Sequence, residues 1–143
     1  IILKNTLNMK QISLHVYQSI DGCPAPSDKH FDAAVDASSC VLIDEETYLR
    51  IYMNHLGWPI TAKETLVVTK EDGDGMVVAY GEEIGALLLD NGLADEITVT
   101  TVPVLIGGGE KALECGLNDG RAWIVRSNKV LVDGKMRTVY GKV

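Results

Sequence analysis

Short apolar runs rich in β-branched residues alternate with segments of helical periodicity, and this alternation limits the folds open to the chain. In QISLHVYQSI, residues Ile12, Leu14 and Val16 occupy every second position, a period typical of a strand that ends near Asp21-Gly22. Four further runs have strand composition: CVLI at 40–43, TLVVT at 65–69, MVVAY at 76–80 and ITVTT at 97–101. The pattern predicts an α/β domain.

Helical signals occupy two of the intervening segments. After two prolines, Ser27 or Asp28 is a suitable N-cap for a short helix at about 28–37. The segment EEIGALLLDNG places apolar residues at helical spacing and ends on Asn91-Gly92, a pair that tolerates the left-handed backbone found at helix ends. This segment is the clearest helix in the chain.

The C-terminal segment WIVRSNKVLVDGKMRTVYGKV contains two alternating runs separated by Asp133-Gly134, which indicates a hairpin with a type I′ turn. An antiparallel hairpin after strand and helix alternation favours a mixed central sheet flanked by helices. The runs at 65–69 and 76–80 lie too close together to be neighbouring parallel strands. The acidic cluster at 44–46 favours the first turn of another helix.

Composition narrows the class of protein. The chain has 143 residues with 46% hydrophobic content, which fits one domain spanning 1–143. Its 20 acidic and 13 basic residues give a net charge of −7, which disfavours nucleic acid as a partner. The sequence contains neither an apolar run of membrane-spanning length nor a signal-peptide pattern, so we expect a cytoplasmic protein without a membrane partner.

The cysteines and histidines give no metal or disulfide pattern. Cys23, Cys40 and Cys115 are far apart and without CxxC spacing, so we expect reduced thiols, with Cys40 buried. The three histidines likewise show no metal spacing, and no metal is expected. His15 lies on the polar phase of the first strand and is expected to be exposed or partnered.

Several turns follow the predicted strands at the edge where α/β sheets bind ligands. They are Asp21-Gly22, residues 44–47, residues 80–82 and the glycine run 107–109. Pro103 fits a point where strand pairing is interrupted, and the glycines permit close approach of the backbone to a ligand or another strand. A simple tight turn is the alternative.

Five motifs in order resemble the dihydrofolate reductase-like superfamily, and within it the riboflavin-biosynthesis reductase branch (the RibD C-terminal domain). The similarity is strongest over residues 81–143, and its longest part is GLADEITVTTVPVLIGGG at 92–109. The branch shows S-L-D-G, G-R-x-T-Y, V-V-T, G-G-x-x-[IL] and G-L-[VA]-D-E-[IL] leading to P-V-[LI]-[LI]-G-x-G. The shorter counterparts here are SIDG at 19–22, DEETY at 44–48, VVT at 67–69 and YGEEI at 80–84.

This resemblance implies a homodimeric enzyme that reduces a small molecule with NADPH, or with NADH. The substrate would be pterin-like or a ribosylaminopyrimidine, held by Ser19, Asp21 and Gly109, with Asp21 as the catalytic residue that orients it. Hydride transfer belongs to the cofactor, so no nucleophile is required. The implied cofactor-binding residues are Thr47, Thr69, Lys70, Tyr80, Gly81, Glu82, Glu83, Ile84, Gly107 and Gly108.

The chain also departs from the branch. Asp44–Glu46 replace a Gly-Arg pair whose arginine holds cofactor phosphates, and three carboxylates would repel those phosphates. Tyr80-Gly81 replaces a double glycine and is followed by two glutamates that can occupy the helix dipole in place of a diphosphate. The helix-and-strand unit expected between Thr69 and Met76 is missing. A non-catalytic dimer or ligand-binding relative that has lost the dinucleotide site is the alternative function.

Overall fold

A seven-stranded mixed sheet organises the chain. The computed structural model describes residues 11–38, 40–44, 65–69, 76–115 and 120–143. The strand order across the sheet is β3-β2-β4-β1-β5-β7-β6. The strands are β1 (Gln11–Gln18), β2 (Cys40–Asp44), β3 (Thr65–Thr69), β4 (Met76–Tyr80), β5 (Glu96–Thr101), β6 (Trp123–Val130) and β7 (Met136–Lys142). The predicted α/β class with a mixed sheet is confirmed.

The central strand β1 is parallel to both of its neighbours. His15 pairs with Tyr80 of β4 on one side and with Thr98 of β5 on the other. Ile12, Leu14 and Val16 face one side of the sheet as predicted. His15 lies on the other face, and it is buried, with 5% of its surface exposed. Sequence analysis left two alternatives for His15, exposed or partnered, and exposure is wrong because both faces of β1 are covered.

The two described helices lie on opposite faces of the sheet. Helix α1 (Lys29–Ala37) begins at the N-cap Asp28, whose carboxylate accepts a hydrogen bond from the amide of His30 at 3.0 Å. Its Phe31 and Val35 pack against Tyr17 and Tyr80 in one core. Both predicted helices are confirmed, and the helix expected to begin at 44–46 lies outside the described residues.

Helix α2 (Glu82–Asp90) covers the other face of the sheet. Its Ile84 and Leu88 are buried against Ile12, Leu14 and Leu42, and its main contacts are with β2 and β4. Neither α1 nor α2 has the length and apolar character that a membrane crossing requires, and no other helix occurs in the part of the chain that the structure describes.

The orientation of β3 resolves the crowding between residues 65–69 and 76–80. Strand β3 is antiparallel to β2, whereas β4 is parallel to β2 and pairs with its other edge. Thr69 therefore pairs with Cys40 at the amino end of β2, and Thr65 pairs with Asp44. The carboxyl end of β3 lies at the sheet edge opposite the carboxyl ends of β1, β2 and β4.

The C-terminal hairpin forms as predicted, but its turn is of a different type. Leu131 O accepts a hydrogen bond from Gly134 N at 2.9 Å, and Leu131 N donates to Lys135 O at 2.7 Å. Gly134 has φ of 88°, whereas no non-glycine residue in the described ranges has positive φ. A type I′ turn would require positive φ at Asp133 as well, so the observed turn is a type I turn followed by a left-handed glycine.

This turn makes a prediction about stability. Gly134→Ala should lower the free energy of unfolding by about 1–2 kcal/mol, because alanine at positive φ brings its Cβ too close to the carbonyl oxygen. Val132→Ala is the control, since Val132 is fully exposed at 109% and should change stability by less than about 0.5 kcal/mol. Urea unfolding measures both variants, and equal stability of Gly134→Ala and the parent chain would contradict the turn assignment.

Candidate functional site

Asp21 connects the turn after β1 with the glycine run. Its carboxylate accepts hydrogen bonds from Ile106 N at 3.1 Å and from Gly107 N at 2.7 Å. The Ser19 hydroxyl donates to the same carboxylate, and Cys23 Sγ lies 3.6 Å from it. These contacts bring together two segments that are 85 residues apart in sequence.

Three more bonds fix the segment 104–112 beside this turn. Ile20 N donates to Val104 O at 2.9 Å, and Ala112 N donates to Gly22 O at 2.8 Å. The Cys23 thiol donates to Gly107 O at 3.1 Å. Strand β5 ends at Thr101, two residues before Pro103, and all three glycines at 107–109 have positive φ. The proline thus follows the end of the ladder, and the glycines form a turn held against residues 19–22.

The electrostatic environment keeps Asp21 ionised. The Ser19 hydroxyl and then the amides of Ile106 and Gly107 lower the pKa of the carboxyl far below its ordinary value of 3.8. A carboxylate that receives several hydrogen bonds is stabilised in its charged form. Asp21 therefore remains an anion and an acceptor throughout the physiological pH range.

The turn at Gly81 lies at the same edge of the sheet. Gly81 follows β4 directly and is the N-cap of α2, with φ of 130° and ψ of 149°. This region of backbone conformation is essentially restricted to glycine. Gly81 has no side chain to cap the helix, so no side-chain cap hydrogen bond reaches its first-turn N–H groups. Glu82 and Glu83 occupy that first turn.

A small crevice lies between the Gly81 turn and the carboxyl-terminal part of β1. It has a volume of about 10 Å³, which is room for about one water. A larger ligand would therefore lie across the outer edge of the sheet, over the turns, and not inside this crevice. The crevice is lined by His15, Val16, Tyr17, Pro24, Tyr80, Gly81, Glu82 and Ala112.

The structure brings together only part of the predicted site. Ser19 and Asp21 contact the segment that carries Gly107–Gly109, and Ala112 links them to the crevice at Tyr80 and Gly81. Ile84 points from α2 into the core. Thr69 lies at the opposite edge of the sheet, beside Cys40. Thr47 and Lys70 lie outside the described residues.

Asp28 lies at the centre of a polar cluster. The sequence indicated only its role as an N-cap. Its carboxylate accepts hydrogen bonds from Tyr17 OH at 2.6 Å and Arg137 Nη2 at 2.7 Å, and Lys135 Nζ lies 3.4 Å away. Arg137 Nε also donates to Thr100 Oγ1 at 2.9 Å. No local pattern marks Arg137, because only the pairing of β7 with β5 brings it to α1.

The pKa values of Asp28 and Tyr17 are shifted in opposite directions. Burial favours the neutral form of Asp28, but the hydrogen bond from Tyr17 and the charge of Arg137 outweigh it and lower the pKa of Asp28 to about 2. Burial and the bond to Asp28 raise the pKa of Tyr17 well above its ordinary value. At neutral pH Asp28 is therefore a carboxylate and Tyr17 a neutral phenol.

His15 lies beside this cluster. Burial, the neighbouring His30 and the charge of Arg137 lower the pKa of His15 to about 4, against a weaker opposing effect of Asp28. Its Nε2 lies 3.4 Å from Ser13 Oγ, while its Nδ1 is buried and has no hydrogen-bond partner among the described residues. Its ring lies 6.0 Å from that of His30 and 5.6 Å from that of Phe31. His15 is neutral at pH 7.

Two features define a dihydrofolate reductase-like α/β fold. The central strands are parallel and the terminal hairpin is antiparallel, and the turns gather at one edge of the sheet. It is the form of that fold found in riboflavin-biosynthesis reductases, as solved structures show. A protein assigned to riboflavin biosynthesis from Shewanella sp. PV-4 superposes with a TM-score of 0.69 and 18% identity, over 93% of this chain and 99% of its own.

Two further solved structures share the fold. A pyrimidine reductase-like protein from Corynebacterium diphtheriae has a TM-score of 0.65 and 11% identity, with 98% of this chain and 94% of that protein covered. A diaminohydroxyphosphoribosylaminopyrimidine deaminase/5-amino-6-(5-phosphoribosylamino)uracil reductase from Thermotoga maritima has a TM-score of 0.65 and 14% identity. The match spans 99% of this chain and 59% of that protein. No protein-family profile and no curated protein sequence matches the chain.

The Asp21 contacts predict how the glycine turn is held. Asp21→Asn should speed amide hydrogen exchange at Ile106 and Gly107, because an asparagine amide presents one acceptor oxygen and turns a donor group toward the second N–H. Asp133→Asn is the matched control, since Asp133 accepts a bond from Lys135 N at 3.2 Å in a different turn. Unchanged exchange at both amides would show that Asp21 does not anchor the turn.

Buried His15 predicts a pH dependence of stability. The unfolded chain binds a proton at His15 near pH 6.5 and the folded chain near pH 4, so stability should fall by about 3 kcal/mol as pH decreases from 7 to 4. His15→Gln should remove most of this loss, whereas His30→Gln, at the neighbouring exposed histidine, should retain the larger part of it, because burial lowers the pKa of His15 more than His30 does. Unfolding midpoints measured across this range test the assignment, and an unchanged pH profile in His15→Gln would refute it.

Proposed function

We propose that the chain is a nicotinamide-dependent reductase of a small pterin-like or ribosylaminopyrimidine substrate. The observation that carries the proposal is the gathering of three turns, at 19–22, 80–82 and 106–109, at the carboxyl edge of the parallel strands β1, β4 and β5. In open α/β sheets this edge is the usual ligand site. The fold shared with proteins of riboflavin biosynthesis supports the same reaction class.

The residues at Gly81 fit the diphosphate of a dinucleotide in part. An uncapped helix N-terminus after a glycine in a glycine-only conformation offers backbone N–H donors and a favourable dipole to an anion. Glu82 and Glu83 oppose this attraction by their charge. Tyr80, Gly81 and Ile84 would frame the cofactor with Gly107 and Gly108, and NADPH is the preferred form, with NADH as the other candidate.

Bound nicotinamide supplies a hydride, so the residues of the chain need to place substrate and cofactor in contact. Ile20, Val104, Leu105 and Ile106 are exposed beside the Asp21 turn and give an apolar surface for a flat ring. Ser19, Asp21 and Gly109 would hold the substrate at this surface. Asp21 would act there as an anion that also fixes the glycine turn.

The surroundings of Asp28 bear on the substrate. Its two carboxylate oxygens are already engaged by Tyr17, His30, Lys135 and Arg137. A substrate that needed this carboxylate as its own acceptor would have to displace a partly buried ion pair, which is costly. The proposed site therefore recognises its substrate from the side of residues 19–22 and 106–109. A cytoplasmic homodimer remains part of the proposal.

One observation favours the alternative, a non-catalytic relative. Thr69, one of the cofactor-binding residues that the resemblance implies, lies at the sheet edge away from Gly81 because β3 is antiparallel to β2. If no other residue replaces this contact, the dinucleotide site is incomplete. Binding measurements separate the two functions.

Titration of the full chain with NADPH and NADH, followed by tryptophan fluorescence, tests the proposal. Micromolar affinity is expected, equivalent to about −8 kcal/mol. Gly81→Ala should abolish binding because alanine cannot adopt the backbone conformation at this position. Glu82→Gln and Glu83→Gln should each tighten binding by about two- to fivefold, since each removes a charge from the helix N-terminus.

Leu87→Ala is the control for these variants, because Leu87 is an exposed residue of the same helix. Near-ultraviolet circular dichroism checks that each variant is folded. If neither cofactor binds the parent chain or the double variant Glu82→Gln/Glu83→Gln, the reductase function is excluded and the non-catalytic alternative stands.

A further inference from the structure

His15 is a buried polar side chain to which the proposed function gives no role. Only 5% of its surface is exposed, and its Nδ1 has no hydrogen-bond partner among the described residues. Its Nε2 lies 3.4 Å from Ser13 Oγ, so Nδ1 is the ring nitrogen that remains available. A buried polar atom without a partner is costly, and a hydrogen bond from a bound group would remove that cost.

The position of His15 connects this nitrogen with the candidate site. His15 pairs with Tyr80, the last residue of β4, and the next residue of the chain is the N-cap Gly81. His15, Tyr80 and Gly81 all line the crevice of about 10 Å³, which has room for about one water-sized group. A ring system therefore stays outside the crevice, and only the end of a polar group can enter it.

The imidazole of His15 favours an uncharged group in the crevice. Burial is the main cause that lowers its pKa to about 4, so the ring is neutral at pH 7. A neutral imidazole has one donor nitrogen and one acceptor nitrogen. It therefore offers a hydrogen bond of either direction but no positive charge to attract an anion.

The start of α2 adds donors and excludes an acid. Gly85 N donates to Gly81 O at 2.9 Å as the first bond of the helix, so the amides before it have no carbonyl acceptor within the helix. The carboxylates of Glu82 and Glu83 lie in the same turn, and Glu82 also lines the crevice. They repel a carboxylate. A group that is uncharged and has both a donor and an acceptor fits these surroundings, and an amide is such a group.

We propose that His15 selects an uncharged amide, whose end enters the crevice at Gly81 and hydrogen-bonds to His15 Nδ1. The inference rests on the proposed function, which brings two sources of an amide to this edge of the sheet. One is the carboxamide of a nicotinamide, and the other is the N–H and C=O edge of a pyrimidine or pterin ring. His15 is then a specificity-determining residue and takes no part in hydride transfer.

Nuclear magnetic resonance of the imidazole nitrogens in the ¹⁵N-labelled full chain tests this contact. The probes are nicotinamide and uracil, with nicotinate as the charged counterpart of the first ring. At least one of the two amides should shift the Nδ1 resonance saturably, at millimolar concentrations. It should bind at least about fivefold more tightly than nicotinate. A shift with nicotinamide assigns the crevice to the cofactor, and a shift with uracil alone assigns it to the substrate.

Variants separate a hydrogen bond from a structural role of the buried ring. His15→Leu should weaken binding of the amide by about fivefold or more, followed at the backbone amide of Gly81. His15→Asn keeps a polar atom near the position of Nδ1 and should bind within about twofold of the parent chain. His30→Leu is the control, since His30 is exposed although its ring lies 6.0 Å from that of His15, and it should bind as the parent chain does. Near-ultraviolet circular dichroism checks that each variant is folded.

The proposal is overturned if neither amide shifts Nδ1, if nicotinate binds as tightly as the amide, or if His15→Leu binds the amide unchanged. Titration with NADPH separates this result from a failure of the reductase function. NADPH binding without a shift at Nδ1 from any probe removes only the role of His15. A shift at Nδ1 from an amide without NADPH binding supports that role and removes the dinucleotide.

Discussion

The parallel pairing of β1 with both β4 and β5 determines where every candidate functional group lies. Parallel neighbours end at the same edge of a sheet, so the turns after β1, β4 and β5 meet there although they are distant in sequence. Both faces of β1 are buried, since α1 covers one side of the sheet and α2 the other. Polar residues on β1 therefore become internal groups that need partners.

For Tyr17 that partner is Asp28, which also contacts the C-terminal hairpin. Arg137 and Lys135 reach Asp28 at the start of α1, and Tyr17 of β1 donates to the same carboxylate. Only 12% of the Arg137 side chain is exposed, so its charge would be costly to bury without the carboxylate. Asp28 thus joins β1, α1 and β7 in one network. The hairpin is consequently tied by side-chain contacts to the elements β1 and α1 beside the candidate site.

Local chemistry allowed much of the fold to be predicted. Strand periodicity at Ile12 to Val16, the N-cap at Asp28 and the Asn91-Gly92 helix end are each encoded by a few adjacent residues, and each prediction is confirmed. The antiparallel orientation of β3, the burial of His15 and the partners of Arg137 depend on pairings between distant segments. Periodicity shows which residues share a face, but it does not show whether that face is covered.

The candidate site combines features that favour and oppose a dinucleotide. Gly81 opens a helix N-terminus toward the sheet edge, and Asp21 holds the glycine turn beside it. Glu82 and Glu83 compete for the same helix dipole. Whether a diphosphate overcomes these two charges decides between a reductase and a non-catalytic relative of the same fold.

Mapping of backbone amide resonances during titration of the ¹⁵N-labelled chain with NADPH tests this account most directly. The account predicts that shifts concentrate at residues 80–84 and 107–109 and are small at residues 89–92 and 121–123. Shifts confined to the second set, or no shifts at saturating cofactor, would contradict a nicotinamide site at the carboxyl edge of the sheet.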